Sequence, residues 1–483
     1  MGQRRWDAGN ARDGGRTMST DLPLNPDLLR RYGKPGPRYT SYPTAPHFKP
    51  EFGIAEFQRF ANETGEAAPP RPLSLYVHIP FCSSPCLYCG CNRVITRSTD
   101  RAASYVARVV REIEMVAPLF GDRDVLQLHF GGGTPNFLTP SQLGEIIACL
   151  REHFGFSSQN DCECSIEIDP RFSRLDDFEP LAWLGINRVS FGVQDFDTEV
   201  QLAVNRIQSC EQTLAAIDAC RKAGIASINV DLMHGLPRQS PASFRRTLRT
   251  VIDARPSRLA VYGYAHLPAL FKAQRHIHLD ELPDAQTRVR LLSLAIEMLV
   301  AAGYRHIGMD HFALPEDELV RAQENGTLHR NFMGYTTHAG CDLLGFGVSS
   351  ISHVGNSYSQ NPRDLEDWEA AIDAERLPVW RGLELDADDI IRADIIEQIM
   401  CQRDVDITSI ENRYGIDFWT YFSAARDLLA KLEADGLVWI CASRIVVSSQ
   451  GRYLLRVIAG CFDRYLGGQS DQVSTAARSS NVM

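Results

Sequence analysis

Four of the thirteen cysteines crowd into ten residues, in the segment HIPFCSSPCLYCGCN that follows a strongly apolar run. Cys82, Cys86 and Cys89 have C-x3-C-x2-C spacing, with Cys91 two positions further on. Spacings of four and three suit one face of a helix, but Pro80, Pro85 and Gly90 argue against a helix and for a tight loop. A loop lets three thiolates converge, each taking a separate iron of one iron–sulfur cluster. Three protein ligands leave the fourth iron open, as a catalytic zinc keeps one open position. The alternative is a structural zinc site, which usually pairs two distant C-x2-C knuckles, and no second knuckle occurs here. The spacing favours a redox cluster and leaves zinc or plain buried thiols as alternatives.

Other polar residues fall near the ends of predicted strands. Gly131, Gly132 and Gly133 in LHFGGGTP would let a ligand approach the backbone, although any strand-to-helix turn can carry glycines. Glu167 in SIEID shares a strand face with Ser165 and Asp169, and either a bound ligand or solvent would partner its charge. Gln194 in GVQDF and Asp231 in NVDLMHGLP are equally ambiguous, and for Arg206 the alternative is a surface salt bridge. His306, His311, His329, His338 and His353 show no recognised zinc spacing and read as polar loop residues.

The elements that must position these groups alternate. Predicted strands are LSLYVHI (73–79), VLQLHF (125–130), CSIEI (164–168), RVSFGV (188–193), SINVDL (227–232) and RLAVYGY (258–264). Amphipathic helical patterns lie between most of them, for example at 104–116, 141–154, 211–224 and 243–254, with another helix near 285–301. This βα repetition implies a parallel sheet. Six units are fewer than a closed eight-stranded barrel needs, so a doubly wound sheet and an incomplete barrel both fit. Active sites of such folds lie at the carboxyl ends of the strands, where the cysteine loop begins. Residues 303–385 read as loop-rich. From 385 to 465 short helices lead into a helix-turn-helix with a small β-wing.

A net charge of −10 and the absence of a basic stripe argue against a nucleic-acid partner. The segment 385–465 holds 13 Asp and Glu against 9 Lys and Arg, a poor phosphate surface, and reads as a lid over the main domain. No run of eighteen apolar residues suggests a membrane span. Residues 1–20 lack the apolar core of a secretory signal. They read as a disordered leader, with Met18 an alternative start. Cysteines in such a chain are expected to be reduced thiols in the cytoplasm.

The cysteine motif after the first strand resembles the radical S-adenosylmethionine superfamily. From about Leu29 to Asp463 the chain resembles its oxygen-independent coproporphyrinogen III oxidases (coproporphyrinogen dehydrogenases). The resemblance rests on GPRYTSYPTA, YVHIPFC, CLYCGCN, LHFGGGTPNFL, SIEIDPR, RVSFGVQDF, VNR, DLMHGLPRQ, YAHLP, GMDHFALPEDEL, HRNFMGYTT and LLGFGVSSIS. Related haem-trafficking proteins carry an aromatic residue in place of Cys91 and lack the RYTSYPT block. A haem carrier, another radical enzyme on this scaffold and a DNA-binding regulator are the alternatives.

The resemblance implies an α/β fold: an incomplete (βα)6 TIM-like barrel with an N-terminal arm (21–70) and a barrel and substrate region (71–384). A mainly helical C-terminal domain (385–465) and a tail (466–483) complete it. It implies a [4Fe–4S] cluster on Cys82, Cys86 and Cys89, with Cys91 not a ligand. Tyr76, Tyr88, Gly132, Glu167 and Ile351 would surround a cluster-bound S-adenosylmethionine. Gly133, Thr134, Gln194, Arg206, Asp231 and Ala265 would surround a second. The implied reaction begins with a radical taking a β-hydrogen from a propionate of coproporphyrinogen III. Loss of carbon dioxide and one electron then leaves a vinyl group, and two such steps give protoporphyrinogen IX. Arg38 and His311 are substrate candidates. An electron donor such as flavodoxin or ferredoxin and a monomeric state complete the expectation.

Overall fold

The computed structural model describes residues 25–33, 36–66, 69–121, 123–156 and 162–466. The leader expected over 1–20 and the tail from 467 lie outside the described residues. Two helices, α1 (Pro26–Tyr32) and α2 (Ile54–Gly65), precede the sheet. Six parallel strands follow: β1 (Leu73–Ile79), β2 (Asp124–Gly132), β3 (Glu163–Ile168), β4 (Arg188–Gln194), β5 (Ser227–His234) and β6 (Arg258–Gly263). They pair in sequence order, β1 to β6. Strand β1 is buried on both faces except at Tyr76, as a covered parallel strand should be.

Each strand is followed by a helix: α3 (Thr99–Val116), α4 (Pro140–His153), α5 (Phe178–Trp183), α6 (Cys210–Lys222), α7 (Pro241–Ala254) and α8 (Ala285–Ala301). Local chemistry sets their starts. Ser98 Oγ accepts the Arg101 amide at 3.4 Å. Thr139 and Gln142 cap each other's backbone ahead of Pro140.

The sheet extends at both edges. Beyond β6 lie β7 (Arg305–Gly308) and β8 (His311–Ala313), with β8 antiparallel to β6. Beyond β1 lie β9 (Asp342–Phe346), β10 (Ile351–Val354), β11 (Ser357–Gln360) and β12 (Arg381–Glu384). Strand β9 runs parallel to β1 and the next three alternate antiparallel. Strands β7 and β12 end the order without pairing to each other, so the barrel is open.

The expectation for 303–385 needs correction: most of this stretch is short strands and two helices, Glu318–Glu324 and Leu365–Asp373. Four of its five histidines follow suit. His306, His311, His329 and His353 stand on strands, and burial holds each below the usual histidine range. Strands of three to five residues joined by glycine turns leave too few alternating positions to reveal a period.

The C-terminal part contains α9 (Ala387–Glu397), α10 (Ile407–Tyr414) and α11 (Ser423–Ala434). A three-stranded antiparallel wing is made by Asp404–Asp406, Val438–Ile440 and Arg444–Val447. One connected apolar core runs from Leu29 through the sheet to Ile395, Leu429 and Phe462, so this part is packed onto the barrel. Among the described residues no helix is long and apolar enough to cross a membrane.

Candidate active site

Pairing register builds the site. Ile79 on β1 stands beside Gly132 on β2, and the Gly133 amide donates to the Ile79 carbonyl at 2.8 Å. The cysteine loop therefore starts against the glycine turn. The loop is irregular between the two-residue strands Phe81–Cys82 and Val94–Ile95, which pair and pin its ends. Its middle docks on the chain after β4: the Leu87 amide donates to the Val204 carbonyl at 2.9 Å, and Asn205 Nδ2 to the Pro85 carbonyl at 2.7 Å.

Two of the glycines serve the protein's own packing. A Cβ on Gly132, whose φ is +120°, would meet the His78 ring at 2.6 Å, and one on Gly133 would meet the Pro80 carbonyl oxygen at 2.5 Å. His78 accepts from or donates to the Tyr76 hydroxyl through Nδ1 at 2.9 Å and reaches the Asn92 carbonyl through Nε2 at 3.0 Å. Burial lowers its pKa, so the neutral ring donates from Nε2 and accepts from Tyr76.

Each of the three thiols receives a hydrogen bond. Thr134 Oγ1 donates to Cys82 Sγ at 3.2 Å, and the Cys91 amide donates to Cys89 Sγ at 3.4 Å. Cys86 Sγ takes two guanidinium donors, Arg171 Nη2 and Arg206 Nη1, both at 3.4 Å. Arg93 grips the Cys86 and Cys89 carbonyls at 3.2 and 3.0 Å. The Cys91 thiol and amide, with Arg93, pull the Cys89 thiol down to about 6, whereas burial pushes Cys82 up to about 11. Among the described residues no three His, Cys, Asp or Glu side chains gather closely enough to hold a single ion. Three sulfurs on one loop, with donors on every sulfur and three arginines around them, suit an anionic thiolate-bound cluster in which each sulfur takes its own iron.

These thiols face a cavity of about 1320 Å³ at the carboxyl ends of the strands. Cys82, Cys86, Tyr88, Cys89, Gly132, Gly133, Thr134, Glu167, Gln194, Arg206, Asp231, Ala265 and Arg38 all line it. Tyr76, Ile351 and His311 do not. Tyr76 turns its hydroxyl to His78 and stacks on His129. Ile351 sits on β10, two strands beyond β1 in the sheet order. His311 is wedged edge-on between Tyr262 and Tyr335. Arg38 pairs with Asp310 and lies 5.5 Å over the Tyr262 ring.

Glu167 Oε2 accepts the Gly132 amide at 3.2 Å, and its side chain is 44% exposed toward the opening. Asp231 is half-buried in the same cavity. Burial first, and then the neighbouring Glu167 charge, raises its carboxyl to about 7 despite bonds from Asn229 and Ser190. Gln194 takes the left-handed backbone region, φ +69°, at an irregularity between β4 and β5.

Sequence reasoning missed several participants. Asp169 was noticed only as a strand neighbour, yet it accepts from Arg171 Nη2 at 2.7 Å and Arg206 Nη1 at 3.0 Å, holding both arginines on Cys86. Gln274 Nε2 joins the Tyr88 carbonyl at 2.9 Å to the Ala265 carbonyl at 3.2 Å. The roof comes from both extremities of the described chain: residues 36–40 and 44–47, together with Asp463, Tyr465 and Leu466. Tyr39 donates to Asp463 at 2.9 Å, and the His47 ring lies 4.4 Å from that of Tyr465.

Comparison with known proteins agrees with this geometry. A family model described as Radical SAM superfamily matches residues 76–251, and one described as HemN C-terminal domain matches 385–454. An oxygen-independent coproporphyrinogen III oxidase of Pseudomonas aeruginosa is 50% identical over 441 residues, covering 91% of this chain and 95% of its own. Its Escherichia coli counterpart is 46% identical over 439 residues, with the same coverage. A solved structure described as coproporphyrinogen III oxidase (HemN) from Escherichia coli, a radical SAM enzyme, superposes with a TM-score of 0.87 at 45% identity. It covers 92% of this chain and 100% of that one.

Proposed function

Because the chain belongs to the oxygen-independent coproporphyrinogen III oxidases, a family of radical S-adenosylmethionine enzymes, we propose specific roles for the residues of its cavity. The reaction is the oxidative decarboxylation of two propionates of coproporphyrinogen III to vinyl groups in haem biosynthesis, giving protoporphyrinogen IX. Membership implies a [4Fe–4S] cluster and S-adenosylmethionine, which when bound supply a carbon radical able to take hydrogen from a propionate.

In this reading Cys82, Cys86 and Cys89 hold the cluster, and Arg171, Arg206 and Thr134 orient and charge-balance the thiolates. The observation that carries it is that all three thiols, each hydrogen-bonded, open into one large cavity at the strand ends. Glu167, held by the Gly132 amide, offers its carboxylate to a cluster-bound S-adenosylmethionine beside Tyr88, while Tyr76 and Ile351, outside the cavity lining, support it from the sheet. Gly133, Thr134, Gln194, Arg206, Asp231 and Ala265 line the adjoining space, which supports a second molecule of it. The roof of residues 36–47 and 463–466 keeps water and oxygen from the radical. Arg38 meets a substrate carboxylate.

The electron donor is a small redox protein such as flavodoxin or ferredoxin, and the enzyme acts as a cytoplasmic monomer without nucleic acid. The test is anaerobic reconstitution with iron and sulfide, then assay with coproporphyrinogen III, S-adenosylmethionine and reductant. Protoporphyrinogen IX and two carbon dioxide per substrate are expected; S-adenosylmethionine cleavage without decarboxylation would overturn the substrate assignment.

A further inference from the structure

The three guanidiniums around the cysteine loop are not equivalent. Arg171 and Arg206 both donate to Asp169, which offsets their charge while they hold Cys86. Arg93 makes no ion pair among the described residues. Its Nη1 and Nη2 donate to the Cys89 and Cys86 carbonyls at 3.0 and 3.2 Å, and its Nε is buried without a hydrogen-bond partner. The backbone on either side of it is pinned: His78 Nε2 donates to the Asn92 carbonyl at 3.0 Å, and the Val94 amide to the Pro80 carbonyl at 2.8 Å. Half-buried, Arg93 lines the cavity together with Cys82, Cys86 and Cys89. Its charge favours the thiolate forms of Cys82 and Cys89. The hydrogen-bond donors on those two sulfurs, the Thr134 hydroxyl and the Cys91 amide, are neutral. A guanidinium bound only to carbonyls keeps its charge for an anion beside it, and partial burial weakens the screening.

We infer that Arg93 is a positioning residue whose charge, held by its fork on the Cys86 and Cys89 carbonyls, sets the potential at which the cluster takes up an electron. This rests on the function proposed above. The small redox protein of that reading gives up one electron and is oxidised, and the thiolate-bound cluster gains it and one negative charge. No bond of the protein forms or breaks in the step. A fixed cation stabilises the more negative of the two states, so Arg93 raises the reduction potential. The fork keeps that cation at a constant distance from two of the three thiolates. A lysine would bring the same charge as a single point without the two-pronged grip.

The test is a redox titration of the anaerobically reconstituted full-length protein without substrate, read by the electron paramagnetic resonance of the reduced cluster. Arg93→Gln is expected to make reduction about tenfold less favourable, a fall of about 59 mV for one electron. Arg93→Lys, which keeps the charge and loses the fork, is expected to stay within about threefold of wild type. An R93Q protein that takes up no cluster beside an R93K protein that does, measured as iron content, points the same way, because both lack the fork and only R93K keeps the charge. An unchanged potential in R93Q, an equal fall in both variants, or no cluster in either overturns the inference. A wild-type protein that takes up no iron–sulfur cluster overturns the function itself; a wild-type cluster without this split overturns only the role of Arg93.

Discussion

Arg206 stands between Cys86 and Asp169, its Nη1 3.4 Å from the thiol sulfur and 3.0 Å from the carboxylate. Burial alone would raise the Asp169 carboxyl, but the Arg206 and Arg171 guanidiniums outweigh it and hold it below the ordinary range. Such a carboxylate stabilises the fold fully above its unfolded pKa, and the contribution fades as pH falls through the lower folded value. Arg206→Gln is expected to cost about 1–3 kcal/mol by leaving buried partners unsatisfied. Thermal melts from pH 7 to pH 3 should show the gap between wild type and variant closing in acid. A constant gap would detach Asp169 from the effect.

The three thiols should differ sharply from the fourth. Replacing Cys82, Cys86 or Cys89 with Ser is expected to abolish the brown cluster absorbance of the reconstituted protein, together with S-adenosylmethionine cleavage. Cys91→Ser should retain both, because Cys91 is not one of the three ligands and its backbone amide still donates to Cys89 Sγ. Loss of colour in C91S would contradict the three-ligand assignment.

For substrate binding, Arg38→Ala is expected to raise the KM for coproporphyrinogen III about tenfold or more, as a lost charge-assisted contact does. Cleavage of S-adenosylmethionine without substrate should be unaffected. Unchanged kinetics would remove Arg38 from the pocket.

Much of this site was legible before any coordinates. Strand β1 and the helix α8 coincide with their predicted spans, and the other five parallel strands agree to within two residues at either end. Those strands are buried on at least one face and long enough to show their apolar pattern. Proline and glycine placed the cysteines in a loop, as found. What escaped is what depends on contacts distant in sequence. Arg171 and Asp169 sit in an ordinary SIEIDPR strand end, and only Arg206, 37 residues away from Asp169, turns them into a clamp on Cys86. Arg330 was one arginine in HRNFMGYTT until folding laid it over the Tyr335 ring.

Buried Glu112 gives a pH signature of opposite sign. It accepts the Gly347 amide at 2.7 Å, Asn361 Nδ2 at 2.6 Å and Trp368 Nε1 at 3.3 Å, yet burial raises its carboxyl to about 7. An acid with a raised folded pKa favours folding below its unfolded pKa and loses that contribution as pH rises through the folded value. Between about pH 4.5 and 7 it should remove on the order of 3 kcal/mol. Glu112→Gln should flatten that limb of the stability profile measured by denaturant titration. An unaltered slope would place the titration elsewhere.

The roof over the cavity joins Tyr39, near the start of the described chain, to Asp463, near its end. A ribosome delivers these two residues more than four hundred positions apart, so the six strands and the cysteine loop can be complete while the chamber still gapes. Any metal loading that needs an open doorway has that interval in which to happen. A fusion partner attached just after Leu466 would sit at the doorway itself.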